Sequence, residues 1–325
     1  MKHPITRSIL ALLFFFLVLI FAGLPNFKAN HPITWGLNFS QPQAEYLGLD
    51  WRQVYQATLK DLNSKNYRLS AYWNRVEAQK DKFDFSELDF MLSQARQNNA
   101  QILMAVGGKL PRWPECHFPD WTKSLGQQQL EERLMFQLAN VVQHLKQYGN
   151  IAAWQVENEP FLDFGVCPKF SEGFLAKEIA LVRKLDPRQI LVTEPGELST
   201  WFNASKFADI VGISLYRTVW NSLLGVVRYP LTPAFYNLHA KFVKRPVIIT
   251  ELQAEPWSST PIRDQSLEQQ RQTFDLNRFN KNINFVKETD FSRAYIWGAE
   301  YWYYLKMLGD NSIWLRAKSL FSAGN

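Results

Sequence analysis

From residue 31 onward, short apolar runs alternate with longer stretches whose apolar positions recur at helical spacing, the pattern of repeated β–α units. Eight runs read as strands: 33–38, 67–72, 101–106, 151–156, 190–193, 210–214, 247–250 and 294–297. Several are almost continuously apolar, as strands covered on both faces should be. Between them, Leu88, Leu92 and Ala95 share a helical face behind Ser86, which with Asp89 resembles a capping box. Leu130, Leu134, Leu138, Val141, Val142 and Leu145 form a second stripe, and Phe174, Leu175, Ile179, Val182 and Leu185 a third, stopped by Asp186-Pro187. Ser266 with Gln269 opens a long helix that ends near Val286. The weakest units are the fifth, with a short helix, and the sixth, with a long loop from Arg217 to Tyr229. No internal repeat or low-complexity linker divides the chain, so the expected architecture is α/β, a single (β/α)8 TIM barrel.

The first 30 residues stand apart. Lys2 and Arg7 precede an uncharged apolar run from Ile9 to Leu24, and Pro25, Asn26 and Lys28 follow it. This run is long for a signal-peptide core and slightly short for a full span. No small-x-small cleavage pattern is visible, since Ile20 stands two places before Ala22. Residues 1–30 are therefore expected to be a cytoplasmic start and a retained hydrophobic anchor, with a cleaved signal segment as the alternative. Basic residues upstream keep the N-terminus cytoplasmic, so in either case the barrel, 31–325, is expected outside the cytoplasm.

Composition then narrows the partners. A net charge of +6, without a Lys/Arg run, argues against nucleic acid. Twelve Trp, 12 Tyr and 24 Phe suit a sugar-binding cleft, because a flat ring covers the apolar face of a pyranose. The five histidines, His3, His31, His117, His144 and His239, show no metal-ligand spacing, and no metal or cofactor is implied. Two cysteines remain, Cys116 and Cys167, one beyond the third strand and one beyond the fourth. Neighbouring barrel loops emerge at the same face, and export permits oxidation, so the two are expected to form a disulfide.

Chemistry is expected where carboxylates end strands, since βα loops form the cleft of such a barrel. The fourth strand runs Trp154-Gln155-Val156-Glu157-Asn158-Glu159-Pro160, and the seventh Val247-Ile248-Ile249-Thr250-Glu251. Asn-Glu-Pro on the fourth strand and Glu on the seventh resemble clan A of the glycoside hydrolases. That resemblance implies Glu159 as general acid/base and Glu251 as nucleophile. It also implies that Arg68, in Tyr67-Arg68-Leu69, supports the nucleophile as the second-strand Arg of family 5 does. Tyr216 matches the tyrosine that hydrogen-bonds the nucleophile, and Trp297 an aromatic floor for the reacting sugar. Asn158 offers an amide for the sugar 2-hydroxyl.

The chain departs from family 5 at Gly107-Gly108 and at Ser214, where that family places His, and Glu251-Leu252-Gln253 is nearer the clan's β-galactosidases. By strand alternation Glu157 points to the same side as Glu159, though deeper, as a structural partner. Glu255 and Glu300, in the loops after the seventh and eighth strands, are candidates to bind a sugar hydroxyl. Trp113, in the run Pro111 to His117, and Trp121 are candidates for an outer sugar platform.

The expected function is hydrolysis of β-linked oligo- or polysaccharides with net retention. A transglycosylase uses the same pair of carboxyls. A non-catalytic carbohydrate-binding or cell-envelope scaffold needs neither.

Overall fold

A computed structural model describes residues 31–221 and 223–323. Eight parallel strands close into a barrel: β1 (Thr34–Asn38), β2 (Asn66–Ser70), β3 (Gln101–Val106), β4 (Ile151–Val156), β5 (Gln189–Pro195), β6 (Ile210–Leu215), β7 (Val247–Gln253) and β8 (Arg293–Trp297). Each pairs with its sequence neighbours, and β1 pairs with β8 to close the ring. The eight expected strands are thus present, three of them longer at the C-terminal end than the apolar runs: β6 by Leu215 alone, and β5 and β7 by stretches that include the buried polar residues Glu194, Glu251 and Gln253.

The barrel interior is layered. Leu103, Ala153, Leu191, Ile248 and Tyr295 form a buried apolar cluster in its lower half. A Cβ on Gly36 would lie 2.5 Å from the Tyr295 ring, so the large aromatic demands a bare backbone opposite it. Nearer the C-terminal ends the buried residues turn polar, with Arg68, Gln155, Thr193 and Glu251 all under 6 % exposed. Outside, the apolar stripes of the helices bury against the strands and make one large core.

Three local expectations change. Ser86 is the first residue of its helix and not its cap; its N–H donates to Asp84 Oδ1 at 2.8 Å, an Asx turn that competes with the box. Ser266 and Gln269 do form a capping box, but the helix they open stops at Thr273. The extended, buried Phe274 breaks it, and Asp275 caps a second helix, Leu276–Lys287, by accepting from Arg278 N. The long loop after β6 contains a hairpin, Thr218–Asn221 against Gly225–Arg228, that no periodicity announced. Gln253 of β7 ties it down, its side chain exchanging two hydrogen bonds with the Thr218 backbone.

The expected disulfide is present. Cys116 and Cys167 lie 5.2 Å apart at Cα, joining the loops after β3 and β4. Closing a loop of this span restricts the unfolded chain by about 4 kcal/mol on the chain-entropy estimate. No helix among the described residues is long and apolar enough to cross a membrane. The anchor expected at Ile9–Leu24 lies outside the described residues.

Candidate active site

Glu251 reaches the centre of the barrel mouth through a bulge. Ile249 pairs with Ile213, yet the next residue of β6, Ser214, pairs with Glu251, and the β8 side shows the same one-residue slip. Thr250 is the extra residue. A bulge re-aims the side chain that follows it, and here Asn38 of β1 supports it by donating to Thr250 O at 2.9 Å. Glu251 then accepts from Arg68 Nη1 at 2.6 Å and from the Tyr216 hydroxyl at 3.0 Å. Burial, and after it the charge of Glu251, holds the Tyr216 hydroxyl well above its usual range, so it stays a donor.

Every nitrogen of Arg68 is itself engaged. Nε donates to Gln155 at 2.6 Å, Nη1 also to Asn38 at 3.1 Å, and Nη2 to Asn158 at 2.8 Å. Asn158 passes the connection on by donating to Glu115 at 2.9 Å. Of the residues singled out from the sequence, the fold therefore brings Arg68, Asn158, Glu159, Tyr216 and Glu251 together.

The chain beyond β4 is strained. Glu157 and Glu159 have φ of 61° and 43°, a left-handed conformation that non-glycine residues rarely adopt. Hydrogen bonds fix it: Glu157 N donates to Val106 O, Asn158 N to Lys109 O and Glu159 N to Thr193 Oγ1. Because β4 ends at Val156, strand alternation does not extend to Glu157, and the expectation that it points with Glu159 is corrected. Its carboxylate turns to the β3 loop, accepting from Gly108 N at 2.5 Å and Lys109 N at 2.6 Å. A Cβ on Gly107 would sit 2.2 Å from that carboxylate, and Gly107 has φ +121°. Gly107, the first of the two glycines that stand where family 5 has His, leaves room for the Glu157 carboxylate, while a Cβ on Gly108 would press on Leu134 and Phe118.

The two central carboxyls differ in environment. Burial first, and then the charge of Glu251, raises the Glu159 carboxyl to about 7. Ser214, the second departure from family 5, opposes this by donating to Glu159 Oε1 at 2.5 Å. A third carboxyl, Glu115, was not foreseen. Burial raises it to about 8, with further upward pushes from Glu159 and Glu251. It sits in an irregular loop, at φ 73°, where no motif marks it. At neutral pH such a trio favours protons on the two groups that lack a cationic partner.

Trp297 is 6 % exposed, its Nε1 donates to Glu255 at 2.9 Å, and the Arg112 guanidinium lies 4.0 Å over its ring. Arg112 pairs with Glu255 and, at 3.4 Å, with Glu300. Glu255 and Glu300 are thus buried anchors of Arg112 and not free loop carboxylates. Trp113 is 64 % exposed and begins an aromatic row, Trp113–Phe164–Trp257–Tyr216, with ring centroids 5.8, 6.1 and 4.8 Å apart. Phe164 and Trp257 were missed, being single aromatics in loops. Trp121 is outside this row; it packs edge-on against Trp73 and donates to Glu77 O. Among the described residues no cluster of three or more His, Cys, Asp or Glu could hold a metal ion.

Residues 42–189 match the sequence model of Glycosyl hydrolase family 10. No curated protein matches the chain. Among solved structures it is similar to exo-β-1,4-mannosidase Op5Man5 of Opitutaceae bacterium strain TAV5, at 15 % identity and TM-score 0.55 over 82 % of this chain and 51 % of that one. Xylanase 10B of Thermotoga maritima matches at 14 % identity and TM-score 0.55, over 82 % of this chain and 83 % of that one. The GH5_18 protein of Streptomyces cattleya, solved with GlcNAc, matches at 13 % identity and TM-score 0.57, over 83 % and 71 %. The chain spans about half the length of the first of these. At such identities the structural likeness shows the barrel fold. With the family match, it bears out the resemblance to clan A and supports a glycoside hydrolase.

The environment of Glu159 gives a signed expectation. Titration followed by carboxyl carbon NMR should place Glu159 near 7. Ser214→Ala, which removes a bond to the ionised form, should move it up, and Glu251→Gln, which removes a like charge, should move it down. An ordinary glutamate titration unaffected by either change would refute this account of the pair. Because the folded state holds this proton longer than the unfolded chain, ionisation costs stability, which is lost as pH rises from the ordinary glutamate range through 7.

Proposed function

We propose that the chain hydrolyses a β-linked glycoside with net retention, through a covalent glycosyl-enzyme. The observation that carries this is the unequal treatment of two neighbouring carboxyls: Glu251 receives a guanidinium and a phenol donor, while Glu159 is raised to about 7. One group is supplied as an acceptor and attacking carboxylate, the other as an acid at neutral pH.

In the first step a Glu251 oxygen attacks the anomeric carbon. The bond to the leaving oxygen breaks, and that oxygen takes the proton of Glu159. In the second step water gives a proton to the Glu159 carboxylate, attacks the same carbon and releases Glu251. Two inversions restore the starting configuration. Asn158 retains an amide hydrogen beyond the one given to Glu115, which suits it to a sugar hydroxyl beside the anomeric centre. The aromatic row from exposed Trp113 to half-buried Trp257 favours a second use of the intermediate, transfer to a sugar acceptor; product analysis separates the two. A purely carbohydrate-binding scaffold has no need of the strained strand end that aims Glu159.

Action is placed outside the cytoplasm, on the strength of basic residues ahead of the apolar run 9–24. If that run is retained, the full chain should stay with membranes after a high-salt wash, because insertion is not screened. A soluble, processed form recovered from the export compartment would show a cleaved signal instead.

Substitution separates the two carboxyl roles. Glu251→Ala should abolish double displacement on every substrate. Glu159→Ala should lose roughly 10²–10⁴-fold on poor leaving groups. It should keep glycosyl-enzyme formation from activated aryl glycosides, with azide then hastening turnover. Near-wild-type turnover of a natural β-glycoside by either variant removes that residue from its role.

A further inference from the structure

The loop after β3 crosses the barrel mouth. From it, Arg112 reaches Glu255 after β7 and Glu300 after β8, although β3 and β7 lie on opposite sides of the ring. Glu300 accepts from Ser40 N, after β1, and the Ser40 hydroxyl donates to that of Tyr72, after β2, leaving the one Tyr72 hydrogen for a second partner. Tyr72 donates it to Pro111 O, next to Arg112. Five loops are joined in this way, those after β1, β2, β3, β7 and β8. None of the joined residues comes from the loops after β4, β5 and β6. Arg112 is 8 % exposed, and its guanidinium carbon lies 4.0 Å from the ring centre of Trp297, whose own exposure is 6 %. Breaking such a buried pair leaves unpaired charge, so the bridge is a wall and not a loose flap.

Its position relative to the carboxyls gives it meaning. A leaving group must face Glu159, the proton donor, which follows β4 and is bonded to Ser214 of β6. The anomeric carbon and the non-reducing side of a pyranose are at opposite ends of the ring. A sugar whose anomeric carbon meets Glu251 and whose leaving oxygen meets Glu159 therefore points its non-reducing side away from β4 to β6, into the loops that Arg112 joins. We propose that Arg112 closes this end of the site, so that the site holds one glycone residue and the enzyme removes single sugars from non-reducing chain ends. This rests on the retaining function proposed above and names the mode of attack. Arg112 acts here as a specificity-determining residue.

Aryl β-monosides and aryl β-biosides of the gluco, galacto, manno and xylo series test it, with the full chain and chromatographic identification of the first sugar released. A single glycone subsite predicts that the bioside gives monosaccharide first and that free disaccharide never appears. Arg112→Ala, or Arg112→Ala with Glu255→Gln where the single change fails to fold, should release disaccharide from the same bioside. Disaccharide as a first product of the wild-type chain overturns the closed end and leaves the retaining function standing. No turnover of any series, or full activity in a parallel Glu251→Ala sample, overturns the function itself and this inference with it.

Discussion

Arg68 is 2 % exposed, and its bonds run to residues on or just beyond β1, β4 and β7. A guanidinium taken out of water loses its hydration, and only satisfaction of its donors together with a close counter-charge offsets that loss. Gln155, Asn38, Asn158 and Glu251 accept four of its five N–H groups, with at least one bond to each nitrogen, and Glu251 is the counter-charge. The requirement propagates outward. Glu251 must stand 2.6 Å from Nη1, which the bulge at Thr250 accomplishes, and Asn38 serves Arg68 and the bulge with opposite ends of one amide. Asn158 must turn its oxygen to Nη2, which fixes the residue next to Glu159. The placement of both central carboxyls thus follows from satisfying one buried cation.

The remaining carboxyls are distributed according to what faces them. Glu157 is held by backbone N–H groups, Glu255 by Arg112 and Trp297, and neither is free to act on a substrate. Glu159 and Glu115 lack a cation of their own and retain their protons into the neutral range. A disulfide between the loops that carry Glu115 and the approach to Glu159 reduces the freedom with which this arrangement could disperse. The fold contributes rigidity where the chemistry needs fixed distances.

Much of this was legible in the sequence because the signals are local. Apolar runs such as 101–106 and 151–156 announce strands buried on both faces, and Asn158-Glu159-Pro160 comes just after the fourth strand. The cysteine pair followed from strand adjacency. What escaped depends on partners far along the chain. Arg112 is 143 residues from Glu255, and nothing near either marks the pair. Glu115 matters through Asn158, Thr250 through the register of β6 and β8, and Gly107 through the carboxylate of Glu157. The turn of Glu157 away from Glu159 was misread because alternation holds only while the strand lasts, and β4 stops one residue earlier. The hairpin after β6 buries too little on either face to print a pattern of period two.

The dependence of the site on the Arg68–Glu251 pair is tested most directly by a double-mutant cycle read in urea denaturation. Arg68→Met alone leaves a buried carboxylate without its cation and should cost about 3–5 kcal/mol. Combining it with Glu251→Gln removes the uncompensated charge, so the double variant should regain most of that loss, a strong negative departure from additivity. A small cost for Arg68→Met, or strictly additive losses in the double variant, would contradict the claim that this one buried cation organises the mouth of the barrel.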